Sequence, residues 1–437
     1  MREALGRLTA TVTAAVLVAG LLAGCTGGGD RPATSAGSSS SSSSASAARA
    51  DRCRQVAPTV LAAIQDYVDA YGTAVSGHSA SKPVSPAVGD RRLRTAITDA
   101  RKQIDNFGCD AADYQSALTD GLGDISVRGP LARAVLLRLK ASMSGSSATG
   151  AEPVTRDVSP GDDLPTVLSQ VAPRSTLRLT GGTYRLPQAL VLLQGVTLVG
   201  RGSDRTVLRS TAPDTSVLVL TDGRVDLRRL TLRHAGRKPA SVLVGGPSSS
   251  IALTEVVVSG GRSASSRAGG NGVLMSARGD ARASRATTLE VTGSTVTGND
   301  NAGILLTGGH RASVVRTRFG ENAQCGICFA DASSGAVHRG NFSDNAVGVA
   351  ALGRSRPAVL DSILSGGQIG AQAAGTAQLV VRRSVFDGAS RAGLLFGGRS
   401  SGRVAGSTCR DVRFGVVVSA DAAPYVTGGD CAVVRSR

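Results

Sequence analysis

The 437-residue chain contains no tryptophan, and aromatic residues make up only 3% of it. So small a ring inventory argues against large helical packing, and it withholds the stacking platforms on which single-stranded nucleic acid is held. Lysine is scarce too: four lysines stand against 45 arginines among the 49 basic residues. That bias reflects a GC-rich coding sequence as much as selection, so the net charge of +17 carries meaning only when divided by region. A permanent membrane span is also lacking at the start, where "LTATVTAAVLVAGLLAG" is too short and too rich in small residues. What is abundant is glycine, 56 residues, beside an ordinary 41% hydrophobic content. This composition favours many short strands and tight turns, in a chain long enough for two or three domains.

The cationic start "MREALGR" and the apolar run after it read as a processing segment over residues 1–24. It ends in Leu22-Ala23-Gly24-Cys25, which resembles the bacterial lipobox, and the resemblance implies that Cys25 is acylated and becomes the new N-terminus. Two or three acyl chains would hold the protein on the extracytoplasmic face of the cell membrane. Residues 25–50 are a Ser/Gly/Ala tract with almost no apolar side chains to bury, and read as a flexible tether.

From residue 51 to about 150 the apolar spacing is helical: Leu61, Ile64, Val68 and Tyr71 recur three or four apart, and Leu93, Ile97, Ile104 and Phe107 at longer helical intervals. Further helices are expected over Ala111 to Leu122 and Pro130 to Ser142. Cys53 and Cys109 flank this region and, in an oxidising compartment, are natural partners. No catalytic constellation is visible in it, which leaves a spacer, a cap or a protein-binding module.

The remainder, residues 151–437, is a repeat. Gly303, Gly326, Gly348, Gly370, Gly393 and Gly415 follow one another at 22 or 23 residues. A second column runs Val291, Val314, Val337, Val359, Val381, Val404, Val426, and a third runs Val296, Phe319, Phe342, Leu364, Phe386, Cys409, Cys431. Three apolar columns with one period mean stacked coils, and strands of three to five residues with Asn299, Asn322 and Asn345 in register at corners exclude helical repeats. On these columns, and on "VSPGDDLPTVLSQVAPRSTLRLTGGTYRL" and "GVTLVGRGSDRTVL", the region resembles the right-handed parallel β-helix (pectin-lyase-like) superfamily. The resemblance implies a mainly β fold, a solenoid of 22–23-residue coils, and leaves activity open, because such a fold hosts lyases, hydrolases, esterases, epimerases and adhesins. Polygalacturonase-like signatures are missing: Asp162-Asp163 precedes the first coil and His310 lacks a following Gly. The esterase and alginate-epimerase signatures are missing as well.

The Cys325-x-x-Cys328 pair falls on a repeat strand, so its spacing is explained by the repeat and not by redox or zinc chemistry. If Cys325 is already extended, three residues separate the two Cα atoms by roughly 10 Å, too far for a bridge, which survives only if Cys325 sits in the turn. Cys409 and Cys431 stack in one inward column, ~4.8 Å apart, either bridged or as two buried thiols.

Two surface columns bear on catalysis. Arg316, Arg339, Asp361 and Arg383 share a repeat position, with His338 and Arg382 one residue earlier. Either a polyuronate lyase uses an Arg as base among these cations, or the column is an ion-pair ladder. Glu321 and Asp344 stack on adjacent coils and suit a general acid/base pair, a Ca²⁺ site, or solvated corners. No other cofactor is indicated. Insertions at residues 260–271 and 276–288 carry Arg262, Arg267, Arg278, Arg282 and Arg285, either a binding surface for an anionic polymer or arginine-containing decoration. Charge agrees with the former: residues 151–437 hold 33 basic against 20 acidic residues, net +13, whereas residues 51–150 hold 12 against 10, net +2. Three functions follow as expectations: a surface lipoprotein binding an anionic cell-wall or extracellular polysaccharide, a divergent polysaccharide lyase or glycoside hydrolase, or a scaffold that binds a protein partner through its helices. No nucleic-acid partner is expected, and oligomeric state is not legible.

Overall fold

A computed structural model describes residues 42–76, 86–109, 111–127, 130–143, 152–210, 216–264, 269–275 and 287–435. The chain divides into two units, residues 1–153 with 165–172, and residues 154–164 with 173–437. Cys25 and most of the proposed tether lie outside the described residues.

The helical unit contains α1 (Ser42–Arg54), α2 (Ala57–Ser76), α3 (Pro86–Phe107), α4 (Ala111–Gly121), α5 (Pro130–Met143) and α6 (Leu164–Gln170). Helix α1 begins at Ser42, so the boundary expected after residue 50 is too late: Ala45, Ala47, Ala48 and Ala50 are strong helix formers despite the serines around them. Helix α2 buries Val60, Ile64, Tyr67 and Val68, opposite Leu93, Ile97 and Ile104 of α3. Phe107, expected on the apolar face, is exposed at the end of α3. The Cys53–Cys109 disulfide joins α1 to the residues just after α3, with Cα atoms 5.6 Å apart.

The second unit is a right-handed parallel β-helix of about 11 turns with coils of ~23 residues. All strand-to-strand ladders among the described residues are parallel, and each joins positions one coil apart; Cys325–Phe329, Ser334–His338 and Asn341–Ser343 make one representative coil. Alternation sets the inside. Val291, Val314, Val337, Val359, Val381 and Val404 are opposite one another and buried, as are Val296, Phe319, Phe342, Leu364 and Phe386. The Phe319 and Phe342 rings stack with centroids 4.7 Å apart. The glycine column exists because successive coils approach closely there: a Cβ on Gly303 would lie 2.5 Å from the Gly326 carbonyl oxygen, and one on Gly326 would lie 2.8 Å from the Gly348 carbonyl oxygen and 2.6 Å from the Phe342 ring.

A corner asparagine ladder runs beside this core. Asn299 Nδ2 donates to Asn322 Oδ1 at 2.8 Å, and Asn322 Nδ2 donates to Asn345 Oδ1 at 2.8 Å and to the Val296 carbonyl at 3.1 Å. All three are buried with their amides satisfied, which is the condition for burying them at all. Replacing Asn322 with Ala removes the middle of the ladder and strands buried partners, at a cost of about 2 kcal/mol. Urea unfolding of the full chain should show that loss, whereas Asn341→Ala, at an exposed position of the following coil, should change stability by less than ~0.5 kcal/mol.

Candidate functional site

Left-handed backbone is the feature common to both surface columns. Arg229, Glu255, Arg316, Arg339, Asp361 and Arg383, with φ between 47° and 55°, occupy the corner after the second strand of their coils. Glu321, Asp344 and Asp411, with φ between 49° and 56°, occupy the corner after the third. Glycines hold the same corners in other coils, at Gly293 and Gly406 for the first set and Gly298 and Gly366 for the second. The positions are thus dictated by the turn, and side chains there point outward because the left-handed corner leaves no inward direction for them.

Of the proposed catalytic residues, His338, Asp361 and Arg383 do meet. His338 Nε2 and Asp361 Oδ2 are 2.9 Å apart, and the Arg383 guanidinium reaches both carboxylate oxygens, Nε to Oδ1 at 2.6 Å and Nη2 to Oδ2 at 3.0 Å. Arg383 first, and His338 second, hold the Asp361 carboxyl below its ordinary range. This is the ion-pair ladder, and Asp361 accepts from both neighbours as a cross-coil clasp on an open surface. Arg339 makes no ion pair with it among the described residues.

Glu321 and Asp344 sit at exposed corners of successive coils. Among the described residues no group of three or more His, Cys, Asp or Glu side chains could hold a metal ion.

The Cys325–Cys328 bridge, left open by the spacing, is formed, although Cys325 lies in the strand and not in the turn as such a bridge was expected to need. The Cα atoms are 6.0 Å apart and the residues are bridged. Cys325 is the first residue of the strand Cys325–Phe329 and pairs with Val347 of the next coil, so the bridge forms within a strand segment shorter than three fully extended residues. Cys328 does not point into the coil, yet it is buried, because Ala302, Ala350, Leu305, Val347 and Leu352 gather around the pair. Cys409 and Cys431 are bridged, with Cα atoms 4.9 Å apart.

Of the insertion arginines, Arg262 is described, and Arg267, Arg278, Arg282 and Arg285 lie outside the described residues. The two insertions leave from opposite ends of the short strand Val273–Met275. Each borders a depression. One, of about 400 Å³, is lined by Arg233, His234, Ala235, Gly236, Ser259, Gly260, Arg262 and Gly298. Arg262 is fixed there by backbone bonds to Ala240 and by an ion pair with Asp300 at 3.3 Å. The other, of about 340 Å³, is lined by Thr288, Glu290, Arg311, Ala312, Ser313, Ser334 and Gly335. Glu290 receives Arg224 at 3.2 and 2.9 Å, and Arg224 also donates to Asp226 at 3.1 Å. Arg233, His234, Glu290 and Arg311 escape a sequence reading because they border these depressions only once coils are stacked in register.

The class is thus a right-handed parallel β-helix with polar depressions beside two insertions. Residues 271–435 match the family described as "Right handed beta helix region". No curated protein matches the chain. Among solved structures the chain is similar to the Dettilon tailspike protein gp208 (12% identity, TM-score 0.42, covering 62% of this chain and 68% of that one). It is similar to the mannuronan C-5 epimerase AlgE4 A-module of Azotobacter vinelandii (13%, 0.37, 60% and 91%). It is also similar to the GH136 lacto-N-biosidase from Eubacterium ramulus (10%, 0.38, 98% and 99%). At these identities and scores the likenesses carry no argument about activity.

The Asp361 clasp gives a titration prediction. A carboxyl depressed in the folded state contributes stability that is present above its ordinary value of 3.8 and is lost as pH falls through the folded value. In a carboxyl NMR titration the Asp361 midpoint should lie below that ordinary value and rise in Arg383→Gln. An unchanged midpoint in the variant would mean that Arg383 does not set it.

Proposed function

We propose that the protein is an extracytoplasmic lipoprotein, anchored through acylated Cys25, whose basic β-helix binds an anionic cell-wall or extracellular polysaccharide. The observation that carries the reading is the depression lined by Arg233 and Arg262 at the base of the first insertion. Its volume is in the range of ligand sites, and guanidinium groups make paired, charge-assisted bonds to carboxylate or phosphate. The basic surplus of 33 against 20 residues lies on the same unit. Compartment is supported by the cysteines: all six that are described form disulfides, as oxidising surroundings allow, and Cys25 is the seventh. Among the described residues no helix is long and apolar enough to cross a membrane.

The catalytic alternative has less behind it. Among the described residues Asp361, Asp226, Glu290 and Asp300 are each engaged by an arginine, so these carboxylates are committed to ion pairs between elements of the fold.

Changing Arg262, Arg267, Arg278, Arg282 and Arg285 together to Ser should weaken retention on an immobilised polygalacturonate column and leave thermal stability nearly unaltered. Wild-type retention should fall with added salt, since exposed charge is screened. Equal retention of both proteins at low salt would remove the insertions from the site. Cys25→Ala should move the protein from the membrane to the soluble extracellular fraction, and a variant that stayed membrane-bound to the same extent would place the anchor elsewhere.

A further inference from the structure

On the outer face of the third strands, one column is basic over three successive coils. The strand Gly182–Leu186 pairs with Thr206–Ser210, placing Arg185 opposite Arg209, and Thr206–Ser210 pairs with Thr231–His234, placing Arg209 opposite Arg233. Parallel neighbours put these side chains ~4.8 Å apart along the solenoid axis. Like charges directly opposite each other in a sheet are destabilising. Elsewhere the molecule offsets such rows with acids, as Asp361 does for Arg383 and as Asp226 and Glu290 do for Arg224. In this column it does not: none of the ion pairs among the described residues includes Arg185, Arg209 or Arg233. Arg209 is half-buried between the other two, and its Nε is buried without a hydrogen-bond acceptor among the described residues. Beyond Arg233 the column continues as Ser259, Thr297, Gly320, Ser343 and Ser365, small residues that leave a level floor. Arg233 also borders the depression that Arg262 closes.

We infer that Arg185, Arg209 and Arg233 form a docking ladder for a linear polyuronate, a polysaccharide carrying one carboxylate per sugar, laid along the solenoid axis and leading to the depression at Arg262. The inference rests on the reading of the protein as a binder of anionic glycan, and it names the ligand class and the face. The ~4.8 Å step between coils is about the length of one sugar in an extended chain, so a polyuronate lying along the axis passes the three long guanidinium side chains at about one per sugar. A carboxylate between two arginines supplies the acceptors that the column lacks and relieves its repulsion. The serine and threonine floor beyond offers hydroxyls to the sugar ring.

The test uses the full chain, isothermal titration with di-, tri- and tetragalacturonate, and a triple variant, Arg185→Ala with Arg209→Ala and Arg233→Ala. A control triple removes arginines at other exposed positions: Arg318→Ala, Arg356→Ala and Arg399→Ala. Wild-type affinity should climb from the dimer to the trimer or tetramer, as one, then two further rungs are engaged. The ladder variant should bind tetragalacturonate at least about tenfold more weakly, the consequence of losing ~1.4 kcal/mol of contact, and the control less than about twofold. The ladder variant should melt no lower than wild type, because removing mutual repulsion costs the fold nothing. Equal loss in both triples, a lower melting temperature with unchanged binding, or affinity independent of oligomer length would overturn the ladder while leaving the glycan reading in place. Equal affinity for a single-stranded oligonucleotide of the same charge would overturn the polyuronate assignment. Failure of the wild type to bind polygalacturonate, hyaluronate and alginate alike would overturn the glycan reading and the ladder with it.

Discussion

A coil in this molecule is bonded only to the coil before and the coil after it, so its three strands must begin and end where theirs do. A shift of one residue in any strand would turn its inward side chains outward, since side chains alternate with a period of two. The left-handed corners prevent that shift. They fix the residue at which the chain leaves one strand for the next, coil after coil, and the molecule accepts arginine, glutamate and aspartate in that conformation where other coils use glycine. Such residues cost on the order of 1 kcal/mol each in left-handed backbone, which the stacked core has to offset.

That constraint decides what the conspicuous charged residues mean. Arg316, Arg339, Asp361 and Arg383, or Glu321 and Asp344, look in a sequence like residues gathered for chemistry because they recur at one period. They recur because the corner recurs. Their charges are secondary: Asp361 accepts from Arg383 and His338 on the neighbouring coils, and so a surface column becomes a clasp. The candidate site lies instead where the repeat is interrupted. Where the first insertion is described, Gly261, Arg262 and Gly270 still bond to the neighbouring coils, and the depression lined by Arg233 and Arg262 lies beside them.

The cysteines extend the same economy. The Cys53–Cys109 bridge joins the first helix to the residues just after the third, and the Cys409–Cys431 bridge joins consecutive coils. The Cys325–Cys328 bridge closes within one strand and draws a patch of Ala302, Leu305, Val347 and Ala350 around it, on a side of the sheet that would otherwise face water.

Much of this architecture is legible in the order of residues. The valine and phenylalanine columns, the glycine column, the asparagines in register and the helical segments over residues 57–143 each follow from a local rule of period, and a solenoid is the fold in which local period becomes tertiary contact. What period does not reveal is distance within a single coil or adjacency across faces. Cys325 lies in the strand, yet a separation expected at roughly 10 Å for a fully extended segment is 6.0 Å in the folded chain. Arg185, Arg209 and Arg233 stand 24 residues apart in the sequence, a spacing that signals stacking, but only the register shows them facing one another without an acid between. The sequence alone settled which residues repeat, because repetition is a property of order along the chain. Which charges go unanswered was left to the tertiary structure, because that depends on what the neighbouring coils bring within reach.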